Sequence, residues 1–592
     1  MCQLHFVEFA LKIYQDLKLL WPHVSPQRRK HLVGLLFLML IGACAELISL
    51  GAIVPFIAVL SNPEKALEIE GIRLLLDLTN SGQAQLGIVV SIALAMIVGL
   101  ATVVRLVLLW ATNKVVFGIG YDIGVGVFSK TLHRPYSWHV SRNSSEVLGG
   151  LTKAQIVVQG YLLPLLNAIV AVVLATGMIA MLVYVDPFVA VTGAGAFGLL
   201  YFAMALSIRK KIAINGEKIA ESNNKRIQEM QEGIGGIRDV ILDSSQQIYI
   251  NRFASVDETM RQAQASNTFL ANSPRLAIEG LGLMIIAGFA LIATKAGDLN
   301  ELLPVLGALG LGAQKLMPLI QQVYMGWNSA TVNRRSLFDV LDLLGQPDYS
   351  IEPSPVTFKQ SLTLLNITYH YPTTPDRPAL EQIDLNIKKG QVVGIVGKTG
   401  SGKSTLVDLL MGLIPASEGD FLVDENRLDS ESKLRGWSSL VAHVPQSIFL
   451  ADCSIAQNIA LGVCESEIDE SKLRKAAKAA EIDGYINSLS GGYKTEVGER
   501  GVRLSGGQRQ RIGIARALYR HAEVLVLDEA TSALDDATEK KVIDNIHSTY
   551  PHLTIVMVAH RLTTLRQCDF IVQMVDGAVS KLLSYNELTA TN

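Results

Sequence analysis

The stretch G-K-T-G-S-G-K-S, from Gly397 to Ser404, decides the fold of the C-terminal half of this chain. It follows the apolar run Val392–Val396 and precedes Thr405–Leu413, a segment whose composition predicts a helix. The spacing G-x-x-x-x-G-K-[ST] is that of a phosphate-binding loop, in which glycines let several backbone N–H groups surround one phosphate. The lysine reaches the β- and γ-phosphates, the serine hydroxyl ligates Mg²⁺, and the helix start adds a favourable dipole. The sequence therefore predicts that the protein binds a nucleoside triphosphate with Mg²⁺.

The composition divides the chain into an apolar first half and a more polar second half. Of the 592 residues, 49% are hydrophobic and 18% are charged, which is too apolar for an ordinary soluble protein. We therefore expect one membrane block followed by one soluble block. The formal net charge is −2, so no basic excess indicates a nucleic-acid partner. The five cysteines are scattered without a C-x-x-C pair, which argues against a disulfide framework or a zinc site.

Six apolar segments are long enough to cross a hydrocarbon core about 30 Å thick. Lys and Arg are concentrated in the N-terminal tail and in the loops 113–156 and 208–265, whereas segment 61–85 contains only Lys65 and Arg73. The positive-inside rule places both termini and the nucleotide domain in the cytoplasm, and we expect an integral protein of a bacterial inner membrane. The six segments are 32–60, 86–112, 157–184, 188–207, 277–295 and 299–325.

The predicted domain organisation follows from these segments. We expect a cytoplasmic N-terminal helix at 1–30, a six-helix transmembrane domain at 31–330, a linker at 331–355 and an α/β nucleotide-binding domain at 356–592. The N-terminal residues are polar and amphipathic, unlike a cleavable signal peptide.

Two cytoplasmic loops are long and contain few helix-breaking residues. Spans 2–3 and 4–5 are therefore predicted to continue as helices beyond the bilayer. Their tips, near Pro135–Asn143 and Asp243–Phe253, carry aromatic and turn-forming residues. The tips are either solvated helical hairpins or docking surfaces for the nucleotide-binding domain.

A series of further motifs accompanies the phosphate loop. Two apolar runs end in polar residues, as expected for buried parallel strands whose carboxyl ends line a site. Together with the six spans, the series resembles ATP-binding cassette (ABC) transporters of the exporter type, in particular a half-transporter whose all-α membrane domain precedes an α/β P-loop ATPase domain. The motifs are Tyr371 before Pro372, Gln446 in V-P-Q-S, L-S-G-G-Q at Leu504–Gln508, Asp528-Glu529 after Val524–Leu527, S-A-L-D at Ser532–Asp535, and His560 after Thr554–Val558.

The resemblance implies a role for each matching residue. Glu529 resembles the general base that polarises the attacking water, and His560 resembles the switch residue that contacts the γ-phosphate. Lys403 and Gln446 complete the catalytic group, and catalysis consists of positioning and electrostatics around a phosphoryl group. The implied Mg²⁺ ligands are Ser404, Gln446 and Asp528. The implied ATP-binding residues, with Tyr371 stacking on adenine, are Tyr371, Gly397, Lys398, Thr399, Gly400, Ser401, Gly402, Lys403, Ser404, Thr405, Ser505, Gly506, Gly507 and Gln508.

The same resemblance implies that two copies work together. In the family, the signature run that starts at Ser505 caps the γ-phosphate held by the opposite subunit, so one nucleotide domain cannot complete a site. All catalytic motifs are intact, which favours a homodimer over a heterodimer with one degenerate site. The run T-E-V-G-E-R-G (Thr495–Gly501) resembles the segment that contacts the loop tips in exporters, which supports the docking interpretation.

Ionisable residues inside membrane spans are costly and indicate functional sites by default. Arg105, Arg275 and Lys315 predict a cavity for an anionic head group, because guanidinium groups suit phosphate oxygens. The alternatives are snorkelling at a membrane face, or internal pairing such as Glu46 with a neighbouring span. Pro63–Leu78 also predicts a short external amphipathic helix. Its lipid-facing residues would be Leu67, Ile72, Leu75, Leu76 and Leu78.

An external helix and the run S-P-R-L-A-I-E (Ser273–Glu279) resemble lipid-linked oligosaccharide flippases, which move a polyprenyl-pyrophosphate-linked glycan to the outer leaflet. A multidrug or lipid exporter and a peptide exporter are the alternatives, and an ATP-gated channel is a further one. The intact Glu529 favours a pump over a channel. No peptidase-like Cys/His/Asp set precedes the first span, which argues against a protease-fused peptide exporter.

Overall fold

The chain forms two compact units in a computed structural model. The first unit comprises Met1–His133 with Arg142–Asp348, and the second comprises Arg134–Ser141 with Tyr349–Asn592. The first unit is helical, and the second contains two β-sheets with surrounding helices. The structure describes residues 2–53, 56, 59, 72–73, 86–142, 144–185, 187–296, 299–345, 351–559 and 561–591.

Long helices in the first unit cover predicted spans 2, 4, 5 and 6 and most of span 3, and a helix that ends at Gly51 covers the first part of span 1. The helix over span 2 has 47 residues and the helix over span 4 has 49. At 1.5 Å per residue each is about 70 Å long, so the helices continue well beyond the apolar segments, as predicted. The helices are α1 Cys2–Leu20, α2 Pro26–Gly51, α3 Leu86–Leu132, α4 Tyr136–Ser141 (which belongs to the second unit), α5 Ser144–Ile156, α6 Leu163–Val185, α7 Pro187–Gly235, α8 Ile237–Leu242, α9 Gln246–Ala296 and α10 Leu299–Gly345.

Several of these helices have the length and apolar composition of membrane spans. Among the described residues, three helical stretches are long and apolar enough to cross a membrane, namely Pro26–Ser49, Leu86–Leu132 and Gly149–Ala180. They overlap predicted spans 1, 2 and 3.

A π-helical turn, Val157–Leu162, lies between α5 and α6. Pro164 lacks an N–H and cannot donate to the carbonyl of Gly160, as a regular α-helix requires. Asn333 of α10 donates instead, with its Nδ2 2.9 Å from the Gly160 oxygen. A Cβ at position 160 would lie 2.7 Å from that nitrogen, so the contact needs glycine. The irregular turn thereby gains a partner from the neighbouring helix.

Helix α10 joins the N-terminal helix to the rest of the first unit. The guanidinium of Arg334 donates to both carboxylate oxygens of the buried Asp16 at 2.8 and 2.9 Å. Leu337 and Val340, farther along α10, are fully buried. Residues 331–345, predicted as the start of a linker, therefore continue this helix because their apolar side chains pack into the core.

The predicted external helix at Pro63–Leu78 lies outside the described residues, except for Ile72 and Arg73. Ile72 is 3% exposed and clusters with Leu86 and Val90 of α3. This side chain thus faces protein, and its expected lipid-facing orientation was wrong.

The second unit is built on a six-stranded sheet and a four-stranded antiparallel sheet. The six-stranded order is β10-β9-β3-β8-β7-β6, in which β9, β3, β8, β7 and β6 run parallel. The four-stranded order is β2-β1-β4-β5. The strands are β1 Ser361–Tyr369, β2 Leu380–Lys388, β3 Val392–Gly397, β4 Glu418–Val423, β5 Asn426–Arg427, β6 Val441–Val444, β7 Val524–Asp528, β8 Thr554–Val558, β9 Phe570–Val575 and β10 Ala578–Leu583.

The central strands are short and almost wholly apolar because helices cover both faces of the sheet. All of β8 and the first four residues of β7 are buried. Residues that follow these strands consequently collect along one edge of the sheet. The helices of this unit after α4 are α11 Lys403–Leu410, α12 Glu431–Ser438, α13 Ile455–Ile459, α14 Glu470–Ala479, α15 Asp483–Ser488, α16 Gly506–Tyr519, α17 Asp536–Thr549 and α18 Tyr585–Thr591.

Candidate functional site

The predicted phosphate loop joins β3 to α11, and its backbone at Gly402 packs closely against neighbouring backbone. Gly402 has φ 93°, in the left-handed region, and a Cβ there would lie 2.9 Å from the carbonyl oxygen of Ala379. Only glycine fits this position without strain. The Lys403 ammonium donates to the carbonyls of Gly397 and Lys398 at 2.7 and 2.9 Å. These bonds hold its positive charge over the loop.

Ser401 places a buried hydroxyl group in the phosphate loop. Its side chain is only 4% exposed, and its Oγ has no hydrogen-bond partner among the described residues. A buried hydroxyl without a partner costs about 1–3 kcal/mol, so the position favours a polar ligand. Together with the Lys403 charge and the backbone N–H groups at the start of α11, the loop fits an anionic phosphate.

Tyr371 is anchored beside the start of α11. Its hydroxyl lies 3.0 Å from the Oγ1 of Thr405, and its ring meets Tyr369 edge-on with centroids 5.1 Å apart. Ser404, the predicted Mg²⁺ ligand, is exposed in the first turn of α11, whereas Thr405 is buried. The structure therefore brings the predicted adenine-stacking residue and the phosphate loop together.

Two further predicted residues meet at the carboxyl ends of β6 and β7. Gln446 follows β6 and Glu529 follows β7, and Gln446 Nε2 donates to Glu529 Oε2 at 2.6 Å. Glu529 has φ 49°, and its N–H donates to the carbonyl of Val558 at 3.0 Å. A non-glycine residue in this conformation is strained, and such strain occurs often at functional sites. Asp528 is the last residue of β7, as predicted.

Asp408 of α11 adds an acidic group that sequence reasoning missed. Burial, and then the negative charge of Asp528, raise the pKa of Asp408 to about 6. Asp528 and Asp408 are thus close enough for their charges to interact. The only sequence signal was the position of Asp408 on the helix after the phosphate loop.

Ser505 begins α16 with a capping box. Its side chain accepts from the N–H of Gln508, and the Gln508 side chain accepts from the N–H of Ser505. Gly506 and Gly507 form the first turn, where unpaired N–H groups and the helix dipole favour an anion. Of the predicted ATP-binding residues here, Gln508 orders the helix start through its side chain.

Arg516 on α16 is a second residue that sequence reasoning missed. Its guanidinium donates to the carbonyls of Phe449 and Asn458, each at 2.8 Å. Phe449 follows Gln446 closely along the chain. Arg516 therefore ties α16 to the segment that begins with Gln446.

The second unit also contains the helix α4, which includes most of the predicted loop tip Pro135–Asn143. Partial burial, and then the charge of Asp408 and the proximity of Tyr371, raise the pKa of Tyr136. The Arg134 guanidinium lies over the Trp138 ring, 4.7 Å from its centroid. Tyr136 thus lies among residues near the phosphate loop, which fits the docking interpretation. Asn143 and His560 lie outside the described residues.

The charged residues predicted to bind substrate have different surroundings. Arg105 on α3 forms an ion pair with Glu46 on α2, and its side chain is 47% exposed against 4% for Glu46. The ion pair matches the alternative prediction, in which Glu46 pairs with a residue of a neighbouring span. Arg275 is exposed on α9, and the Lys315 side chain lies outside the described residues. No hydrogen bond or ion pair among the described side chains joins Arg105 to Arg275.

One α/β unit carries a phosphate loop, two acids at a strand end and a glutamine, and helices of membrane-spanning length precede it. These are the features of a membrane protein with a nucleotide-binding domain. The ABC transporter family model matches residues 380–532, and the ABC transporter transmembrane region model matches residues 32–302. The chain belongs to the ABC transporter family. The predicted fold class is confirmed.

Relatives include an ATP-dependent lipid A-core flippase of Methylobacillus flagellatus, 29% identical over 490 residues, which cover 81% of this chain and 81% of the relative. An ATP-dependent lipid A-core flippase of Photobacterium profundum is 30% identical over 407 residues, which cover 65% of this chain and 68% of the relative. A solved structure of a bacterial Atm1-family ABC exporter with ATP bound superimposes with a TM-score of 0.76 at 24% identity. That match covers 95% of this chain and 96% of the other, and it supports the shared exporter fold.

Proposed function

We propose that this protein uses ATP hydrolysis to flip an amphipathic lipid with an anionic sugar-phosphate head group across the membrane. The observation that carries the proposal is the hydrogen bond of 2.6 Å between Gln446 and Glu529, at the sheet edge that also carries the phosphate loop. An acid held in this way beside a phosphate site is what a hydrolysing ATPase requires.

Each residue of the site has a separate role in ATP binding or hydrolysis. Lys403 neutralises the β- and γ-phosphates, and Tyr371 stacks on adenine. Glu529 accepts a proton from the attacking water, which needs a carboxylate within hydrogen-bond reach of that water. His560, by its place in the sequence after β8, orients the water and contacts the γ-phosphate.

Mg²⁺ fits the oxygen-rich donor set of Ser404, Gln446 and Asp528, since hard cations prefer hydroxyl, amide and carboxylate oxygens. When bound, it supplies charge neutralisation on the phosphate oxygens. The exposed Ser404 hydroxyl on α11 and the strand-end carboxylate of Asp528 are the residues of this chain that would hold it.

We infer that the working assembly is a homodimer. The first turn of α16, from Ser505 to Gly507, presents N–H groups suited to a phosphate, and they form an anion site separate in sequence from the phosphate loop. In a dimer, this turn would cap the γ-phosphate bound to the partner's phosphate loop. The intact catalytic residues favour two equal sites.

Positively charged side chains in the first unit support a head group that contains phosphate. Arg105 remains half exposed while paired with Glu46, and Arg275 is exposed on α9. With Lys315, these cations would suit phosphate oxygens in a cavity. A polyprenyl-pyrophosphate-linked oligosaccharide and a lipid A type glycolipid both combine phosphate with sugar. The second candidate is supported by the names of the relatives.

Substrate-stimulated ATP turnover in lipid nanodiscs tests this proposal. Nanodiscs would contain plain phospholipid, added polyprenyl-pyrophosphate glycan or added lipid A, with the Glu529→Gln variant as the inactive control. Stimulation of wild-type ATP turnover by either glycolipid supports the proposal and identifies the class of lipid substrate. Stimulation by neither glycolipid refutes the proposed head group, and equal turnover in wild type and variant refutes ATP-driven transport.

A further inference from the structure

The loop Ser532–Asp535, which follows the acid of the ATPase site, is bound to α16 through one buried glutamine. Gln510 is 5% exposed. Its Oε1 accepts from the N–H of Ala533 at 2.9 Å, and its Nε2 donates to the Oγ of Ser532 at 3.2 Å. One amide therefore fixes both a backbone and a side-chain group of the loop.

The first turn of α16 is shaped to receive this loop. A Cβ at Gly507 would lie 3.1 Å from the carbonyl oxygen of Ala533, and one at Gly506 would lie 3.5 Å from the Ala533 Cβ. A side chain at position 507 would therefore push the loop away. The two glycines of the signature run, besides exposing their N–H groups, let the loop approach the helix.

The loop is also fixed to the acid on its other side. The N–H of Ser532 donates to the carbonyl of Glu529 at 3.1 Å, and the N–H of Leu534 donates to the carbonyl of Thr531 at 2.9 Å. These bonds close a compact turn directly after β7. A displacement of Glu529 therefore reaches Ser532 without a flexible segment between them.

We propose that Gln510 is a positioning residue that couples the two ATP sites of the dimer. The inference rests on the proposed function, in which the first turn of α16 serves one site and Glu529 of the same chain serves the other. Gln510 joins these elements within one chain, so closure of α16 on the partner's nucleotide shifts Glu529 through Ser532 and Ala533. Hydrolysis at one site thereby depends on nucleotide at the other.

The test is ATP hydrolysis by the purified full-length dimer as a function of ATP concentration. Gln510→Leu keeps the side-chain volume and removes both hydrogen bonds. We expect the Hill coefficient to fall from above about 1.5 towards 1, since two coupled sites permit values up to two. Gln510→Glu should retain cooperativity, because a carboxylate accepts from both the Ala533 N–H and the Ser532 O–H. Gln567→Leu is the matched control, since the Gln567 amide donates to Asp544 at 2.7 Å.

A wild-type Hill coefficient that is unchanged in folded Gln510→Leu protein overturns the inference while leaving the proposed function intact. A wild-type protein that is monomeric, or whose turnover is independent of Glu529, overturns the proposed function itself. If Gln510→Leu does not fold, Gln510→Glu is compared with Gln510→Glu/Ser532→Ala, which differ by one bond at an exposed serine. Lower cooperativity in the double variant supports the inference, and equal cooperativity in both contradicts it.

Discussion

Gln446 and Glu529 are 83 positions apart in sequence, yet their side chains share a hydrogen bond of 2.6 Å. The bond forms because β6 and β7 are parallel neighbours, so the residues after them share one edge of the sheet. It orients the Glu529 carboxylate, while Gln446 begins the segment that Arg516 ties to α16. A continuous path of contacts therefore joins the acid to the helix that carries the signature run.

Replacement of Glu529 by Gln should reduce steady-state ATP turnover by at least about 100-fold, because an amide cannot accept a proton from water. ATP binding should persist, since the amide oxygen still accepts from Gln446 and the phosphate loop is unchanged. Turnover and equilibrium ATP binding are the measurements. Glu481→Gln, at an exposed glutamate that bonds Asn545, is the matched control. Wild-type turnover in Glu529→Gln would exclude this residue as the base.

Asp408 predicts a pH dependence of stability in the nucleotide-free protein. Its pKa in the folded state, about 6, is above the ordinary value of 3.8, so the charged form destabilises the fold. Its favourable contribution is present below about pH 4 and is lost as the pH rises through 6. Asp408→Asn should therefore gain thermal stability over the wild type as the pH rises from about 4 to 7, by roughly 2 °C. Thermal unfolding in EDTA measures this difference, and a constant difference at every pH would contradict the assignment.

The loop tip in the second unit should transmit ATP hydrolysis to transport. Substituting Tyr136 and Trp138 by Ala removes one ring near Asp408 and Tyr371 and another ring under the Arg134 guanidinium. We expect lipid flipping to fall while basal ATP turnover survives. The control is Val140→Ala, at an exposed position of the same helix. Equal loss of both activities would instead indicate misfolding and a purely structural loop.

A double-mutant cycle on Arg105 and Glu46 distinguishes a structural role of Arg105 from a role in binding the head group. Arg105→Ala removes the half-exposed guanidinium that pairs with the buried Glu46 carboxylate, and a buried carboxylate is costly to keep charged when its cation is removed. Thermal stability should therefore fall and should recover when Glu46→Gln is added. If Arg105 also binds the head group, glycolipid-stimulated turnover stays low in the double variant. Full recovery of stimulation would limit Arg105 to a structural role.

The local parts of this architecture were predictable from sequence. The run Val524–Leu527 was expected as a strand ending in Asp528, and β7 spans Val524–Asp528. The phosphate loop lies between β3 and α11 because its glycines and flanking residues determine that geometry locally. The described parts of the six apolar segments lie almost wholly on long helices, because a helix satisfies its backbone hydrogen bonds within itself.

Contacts between distant segments were not predictable. The bonds of Gln510 to Ser532 and Ala533 depend on how α16 packs on the sheet, which periodicity does not encode. The π-helical turn at Val157–Leu162 depends on Asn333 in another helix. Ile72 and the continuation of α10 to Gly345 were misjudged because burial against neighbouring helices decides both.

The central claim is that hydrolysis at Glu529 drives lipid across the membrane, and one measurement tests it directly. Separate samples of proteoliposomes carry a fluorescent phospholipid, lipid-linked glycan or lipid A, with the ATPase domains facing outward. ATP turnover and loss of the labelled lipid from the outer leaflet are followed in each sample. We expect both signals in the wild type with ATP and Mg²⁺, and neither in Glu529→Gln. Lipid movement at the same rate in the variant, or robust turnover in the wild type without movement of any lipid or glycolipid offered, would contradict the account.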